Sequence, residues 1–131
     1  MTLMDLRQQV LFQTGSDLED LGDFQPHLTD YLNDGYDRLC VAMDGQHVAE
    51  DSEAHPPLAM ERDEPALPAW AHSAIADWAT WLIYRNGSAT RQSRGYAFRA
   101  AFEAVENRLR GLTAEQKGQR SAPARFGNIP L

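Results

Sequence analysis

The chain contains a single cysteine, Cys40, and no long hydrophobic run. One cysteine excludes an intramolecular disulfide. Its neighbours Leu39 and Met43 place it on an apolar helical stripe, so we interpret it as a small core residue of a protein made in a reducing compartment. No window approaches the roughly 18 apolar residues that a membrane span needs, and the N-terminal sequence lacks the basic stretch and apolar core of a secretion signal. We therefore expect neither membrane insertion nor secretion.

Sequence patterns typical of catalysis are also missing. The chain has no G-x-S-x-G elbow, no P-loop, no dinucleotide-binding glycine pattern and no H-E-x-x-H or Cys/His ligand spacing. His47 and His55 share an acidic stretch with Glu50, Asp51 and Glu53, where a loose metal site is a minor alternative to a solvated loop. We expect a protein that is not an enzyme and holds no cofactor or metal. A small enzyme with a site assembled from scattered polar residues is the least favoured alternative.

Positive charge is nearly absent from the first two thirds of the chain. The net charge is −7, but residues 1–90 hold 16 acids against 4 bases, whereas residues 91–131 hold 3 acids against 8 bases. An acidic body would repel phosphate, so direct binding of nucleic acid is disfavoured. The basic end favours docking on an acidic protein partner, and the alternative is that the charge serves solubility alone.

Hydrophobic spacing predicts four helices and no β-rich segment. The first helix is expected to begin at Thr2 and to end at Gly15, and the second to begin near Asp23 and to end at Gly45. Gly35 interrupts the second helix at a cost in helix propensity, which favours a close approach of another helix at that point.

The third helix is predicted to lie at the centre of the bundle. It opens at Pro68, is apolar almost all round and carries all three tryptophans. Asn86 and Gly87 end it, and Ser88 is a suitable cap for the fourth helix, so the two helices should form an antiparallel αα-hairpin. The expected core anchors on these two helices are Trp70, Ile75, Trp78, Trp81, Leu82, Phe98, Phe102 and Val105.

Asp77 is nearly the only charge on this apolar third helix. A charge on a buried helix needs a partner, so we expect it to pair with an arginine of the fourth helix, such as Arg94 or Arg99.

Two segments lie outside the helical pattern. Residues 44–67 hold seven acids and three of the seven prolines, which predicts a long irregular loop, either mobile or folded as a short β-hairpin. Residues 113–131 are polar and basic, yet they end with Phe126, Ile129 and Leu131. Two alternatives fit this composition equally: a disordered terminus, or an arm that becomes ordered on a partner through its basic residues and apolar anchors. The expected organisation is an α-helical domain over 1–112 and an extended arm over 113–131.

Four stretches resemble a known family: MTLMDLRQQVLFQTG, YLNDGYDRL, LPAWAHSAIADWATWLIYRNG and RGYAFRAAFEAVENRL. In order across residues 1–112, they look like the small α-helical head–tail connector proteins of tailed bacteriophages, also called adaptor or head-completion proteins. The resemblance implies a virion structural protein at the head–tail junction, assembled in the bacterial cytoplasm. Such proteins form a ring, commonly of twelve subunits, beneath the portal protein. The ring extends the DNA channel and supports the tail or a stopper protein, and a subunit that is monomeric in solution fits this behaviour.

The resemblance also implies which residues meet which partner. The C-terminal arm would reach the portal through Lys117, Arg120, Arg125, Phe126, Ile129 and Leu131. The loop would contribute subunit contacts or channel lining through Glu50, Asp51, Glu53, Glu61, Asp63 and Glu64. An acidic channel wall would let DNA pass without gripping it. The alternative function is a monomeric helical adaptor or assembly chaperone that binds an acidic protein through its basic tail.

Overall fold

The computed structural model describes residues 1–15 and 22–112, and within them it contains four α-helices and no strand. The helices are α1 (Leu3–Thr14), α2 (Leu28–Asp44), α3 (His72–Tyr84) and α4 (Ala89–Arg110). Short 3-10 turns, Gly22–His27 and Ala69–Ala71, precede α2 and α3. The predicted fold class, mostly α with four helices, is confirmed.

Local capping explains the ends of α1 and the start of α4. The Thr2 amide donates to the Asp5 carboxylate at 2.9 Å, and the Asp5 amide donates to the Thr2 hydroxyl at 3.1 Å, which completes the capping box. Bonds from the Thr2 backbone and the Thr2 side chain lower the pKa of the Asp5 carboxyl. Gly15 ends α1 in the left-handed conformation, with φ of 68°, and the Ser88 hydroxyl accepts a bond from the Arg91 amide at the start of α4.

The start of the second helix differs from the prediction. Regular α-helix begins at Leu28 rather than near Asp23, because residues 22–27 form a 3-10 turn instead. Pro26 lies within that turn, has no amide hydrogen and disfavours the α conformation in the residue before it. The proline therefore belongs to the approach to α2 and not to its first turn.

The third helix is central, as its composition predicts. α3 packs against α1, α2 and α4, and eleven of its thirteen residues are buried. Two glycines allow the close packing. A Cβ atom on Gly35 would lie 3.0 Å from the Cβ atom of Trp78, and one on Gly95 would lie 2.8 Å from Cε3 of Trp81. The close approach expected at Gly35 is confirmed, and α3 and α4 form the predicted αα-hairpin.

The core prediction needs one correction, at Trp70. The other seven predicted anchors are buried or partly buried: Ile75, Trp78, Trp81, Leu82, Phe98, Phe102 and Val105. Trp70 is 36% exposed and lies in the 3-10 turn before α3. The guanidinium of Arg108 covers its ring, 3.8 Å from the centroid. A cation–π contact with an arginine therefore takes the place of core packing.

The long segment between α2 and α3 has no β-hairpin. It runs irregularly along the bundle, and it buries Leu58 and Leu67 in the same core as the helices. No periodic apolar pattern marks these two leucines, since Leu58 directly follows Pro57 and Leu67 directly precedes Pro68.

Candidate interaction surface

Polar side chains of α2 hold the acidic loop against the bundle. The Asn33 side chain accepts a bond from the Leu58 amide at 2.8 Å and donates to the Leu58 carbonyl at 2.9 Å. The Tyr36 hydroxyl accepts a bond from the Ala66 amide at 2.9 Å. The Asp37 carboxylate accepts a bond from the Val48 amide at 2.8 Å. Because these bonds satisfy backbone groups along the loop, its path is fixed without regular secondary structure.

His55 is a further tie between the loop and α2. Its side chain is fully buried, its Nε2 lies 2.8 Å from the Asp44 carboxylate, and its ring meets the Tyr36 ring edge-on. Since an ionised carboxylate only accepts, Nε2–H is the donor. His47, by contrast, is exposed and pairs with Asp37 at 3.0 Å. No group of three His, Cys, Asp or Glu side chains in residues 1–15 and 22–112 is arranged to hold a metal ion.

Replacing His55 with alanine is expected to loosen the loop while the helices persist. The change removes the bond to Asp44 and leaves a cavity under residues 47–58. We expect amide hydrogen exchange in that range to accelerate by about tenfold or more, which corresponds to about 1.4 kcal/mol of local opening. The matched control is His47→Ala, at an exposed histidine of the same loop. Equal exchange in the two variants would contradict an anchoring role for His55.

The six predicted loop acids separate into two groups. Glu50 lines an open depression of about 600 Å³ together with three α2 acids, and Asp51 and Glu53 are exposed in the next three residues of the loop. The three α2 acids are Asp30, Asp34 and Asp37. We call the six residues Asp30, Asp34, Asp37, Glu50, Asp51 and Glu53 the acidic face.

The other three acids lie beside the start of α1. The amides of Leu3 and Met4 donate to the carbonyls of Asp63 and Glu61 at 2.8 and 3.0 Å. The Asp63 carboxylate accepts bonds from the amides of Met60 and Ala59, which lower the pKa of its carboxyl. Asp63 is thus a turn-forming residue, whereas Glu61 and Glu64 remain exposed.

Asp34 carries a contact that sequence spacing does not reveal. Asp30 and Asp34 lie one helical turn apart and look like an ordinary solvated pair. In the structure the Asp34 carboxylate accepts a bond from the indole nitrogen of Trp78 at 2.7 Å. The acidic face is therefore joined directly to the central helix, through the one polar atom that a tryptophan offers.

The prediction that Asp77 pairs with an arginine of α4 is wrong. Its carboxylate accepts a bond from the Gln13 side chain at 2.7 Å, and the Gln13 oxygen accepts a bond from the Thr80 hydroxyl at 2.6 Å. Asp77 therefore points to α1, while Arg99 lies over Trp81 and pairs with Glu103 on α4. Burial raises the pKa of Asp77, and the bond from Gln13 offsets part of that rise.

Asp77→Asn is expected to raise the melting temperature at pH 7. Asparagine keeps an oxygen that accepts the Gln13 bond but removes the cost of ionising a half-buried group. Because the folded-state pKa is raised above 3.8, the stability that Asp77 provides is complete below pH 3.8 and is lost as the pH rises through the folded-state value. The advantage of the variant should therefore grow between pH 3.8 and 7. Thermal melts across this range give the test, and a constant difference would contradict it.

The predicted partner-binding residues, Lys117, Arg120, Arg125, Phe126, Ile129 and Leu131, lie outside the described residues. The structure describes the chain up to Leu112, immediately after α4.

Comparison of the chain with protein-family models, with curated proteins and with solved structures finds no match. Within residues 1–15 and 22–112, no helix combines the length and the apolar character needed to cross a bilayer.

Proposed function

We propose that this protein is a structural head–tail connector of a tailed bacteriophage, which assembles as a ring beneath the portal protein and joins the capsid to the tail. The observation that carries the proposal is the acidic face, held in place on a mostly helical body whose chain continues into a basic segment. Together these features provide one surface that repels DNA and one that binds protein.

The acidic face suits the wall of a DNA channel. Its carboxylates belong to α2 and to a loop fixed by bonds from Asn33, Tyr36 and Asp37, so their positions do not depend on a ligand. A wall of fixed negative charge keeps a duplex away from the protein and lets it slide. Two of the six carboxylates are also bonded within the protein, Asp37 to the Val48 amide and His47 and Asp34 to Trp78, which favours a passive structural role over chemistry.

The basic segment suits the contact with the portal. Residues 113–131 carry Lys117, Arg120 and Arg125 against a single acid, Glu115. Basic residues beside apolar anchors are typical of segments that bind across a protein interface, where charge guides the encounter and apolar contacts hold the complex.

Co-sedimentation with the portal protein encoded in the same phage genome tests the proposal. Replacing Lys117, Arg120 and Arg125 together by glutamine is expected to weaken binding by about tenfold or more, with a smaller loss at high salt, where charge is screened. The matched control removes the same charge from exposed body arginines, Arg62, Arg85 and Arg94, and should bind as the unchanged protein does.

The outcome also distinguishes the connector function from the alternative, a monomeric adaptor or assembly chaperone. If the protein binds no portal but binds another acidic protein as a single copy through the same three residues, the adaptor or chaperone function replaces the connector. Equal weakening by both triple variants would mean that total charge, and not the C-terminal segment, governs binding.

A further inference from the structure

The outer side of α1 is apolar and uncovered among the described residues. Met4 is 46% exposed and Phe12 is 82% exposed, and with Gln8 between them they follow one side of the helix at four-residue spacing. Beside this stripe, Met4, Leu11 and Leu28 line a depression of about 250 Å³. We call the stripe and the depression the α1 face.

A neighbouring turn extends the α1 face. Met60 is 60% exposed, and the turn that carries it is bonded to the start of α1 through the Met4 amide and the Glu61 carbonyl. Glu61 also lines the depression. Large exposed apolar side chains gathered on one side of a small protein typically mark a binding surface.

The chain leaves the described structure at the end of the bundle where α1 begins. Arg108, in the last turn of α4, lies over Trp70 just before α3. His72 follows Trp70 by two residues, and its Nδ1 atom lies 2.9 Å from the terminal nitrogen of Met1. Leu112, just after α4, therefore lies at the same end of the bundle as the first turn of α1, which carries Met4.

The segment that continues from Leu112 is long enough to cover the α1 face. Its 19 residues, 113–131, extend up to about 60 Å, whereas Phe12 lies about 12 Å along the helix from Met4. The segment also has matching chemistry, because Phe126, Ile129 and Leu131 are apolar, as are the exposed side chains of Met4 and Phe12.

We propose that residues 113–131 dock on the α1 face of the same chain, with Phe126, Ile129 and Leu131 against Met4, Leu11 and Phe12. The connecting residues 16–21 are the nearest rival occupant, but three of the six are acids and only Leu18 and Leu21 are apolar. Docking in the free protein shields apolar residues of both surfaces from water until a partner competes for the segment.

This contact goes beyond the connector function and is made by the free chain, so it is tested without a portal. A spin label is placed on the full-length protein at Ser121→Cys, and amide signals are recorded by NMR. Native Cys40 is buried, and the unsubstituted protein treated with the same label controls for its reactivity. The amides of Met4, Gln8 and Phe12 are expected to lose most of their intensity.

Variants locate the contact on both surfaces. Replacing Phe126, Ile129 and Leu131 by serine should restore the α1 signals, whereas Asn128→Ser in the same segment should not. On the body, Phe12→Ser should restore the signal of Gln8. Val41→Ser, at an exposed apolar residue of α2, should leave the loss unchanged.

A mixture of isotope-labelled protein with unlabelled, spin-labelled protein distinguishes docking within one chain from docking between two copies. Under the proposal, the α1 amides keep their intensity in this mixture. Signal loss in the mixture at the level of the single sample would assign the α1 face to a second copy and overturn docking within one chain. Full intensity on α1 in both samples would overturn the proposal. Neither result alters the portal-binding measurement, so the two proposals fail separately.

Discussion

Replacing Trp78 with alanine is expected to lower the free energy of unfolding by about 3–5 kcal/mol, the largest effect of any single change considered for this chain. Its ring is buried where three helices meet. It contacts the Phe102 ring with centroids 4.8 Å apart, lies against Gly35 and donates to Asp34. Alanine leaves a cavity that the glycine opposite cannot fill, and chemical denaturation measures the loss.

Trp70→Ala is the matched control for this prediction. Trp70 precedes the same helix and has the same chemistry, but it is partly exposed and its main contact is with Arg108. An exposed cation–π contact contributes about 0.5–1 kcal/mol, so the control should cost much less than the buried change. Equal losses at the two positions would refute the assignment of Trp78 to the centre of the core.

Arg38→Ala is expected to cost about 2–3 kcal/mol, the second largest effect. The Glu106 carboxylate is buried, and Arg38 pairs with it at 3.1 Å while lying over the rings of Trp78 and Phe102. Removing Arg38 leaves Arg110, at 3.5 Å, as the one ion-pair partner of this carboxylate among residues 1–15 and 22–112, and it uncovers the two rings. The expected cost is below that of a fully buried pair because the Arg38 side chain is 40% exposed.

Arg99→Ala tests the same kind of pair at the surface. Arg99 and Glu103 are 2.8 Å apart, closer than the Arg38 pair, but both side chains are about half exposed. Exposed pairs typically contribute about 0.2–1 kcal/mol. A loss at Arg99 equal to that at Arg38 would show that burial does not determine the strength of these pairs. Unfolding by urea at pH 7 provides both values.

The parts of the fold that short-range chemistry determines were predictable. Thr2, Gly15 and Ser88 mark helix ends because a cap involves residues only three or four positions apart. The central position of α3 follows from composition, since a helix apolar on all sides has to be covered on all sides. Gly35 predicted a close helix contact, because glycine disfavours helix formation and a contact that requires its small size compensates for that cost.

The features that depend on distant residues were not predictable. The loop is held by Asn33 and His55, whose partners lie at sequence separations that no periodic pattern marks. Charge alone suggested an arginine partner for Asp77. Its side of α3 faces α1, however, and it bonds to Gln13. Trp70 looked like core because composition does not distinguish a ring packed in a core from one covered by an arginine.

The central claim is that many copies of this chain assemble on one portal. The most direct measurement is single-particle imaging of the purified portal after mixing with the full-length protein. The connector account predicts a continuous annular layer of added density on one face of the portal ring, with an open channel on its axis. A bare portal, or isolated copies that form no closed layer, would contradict it.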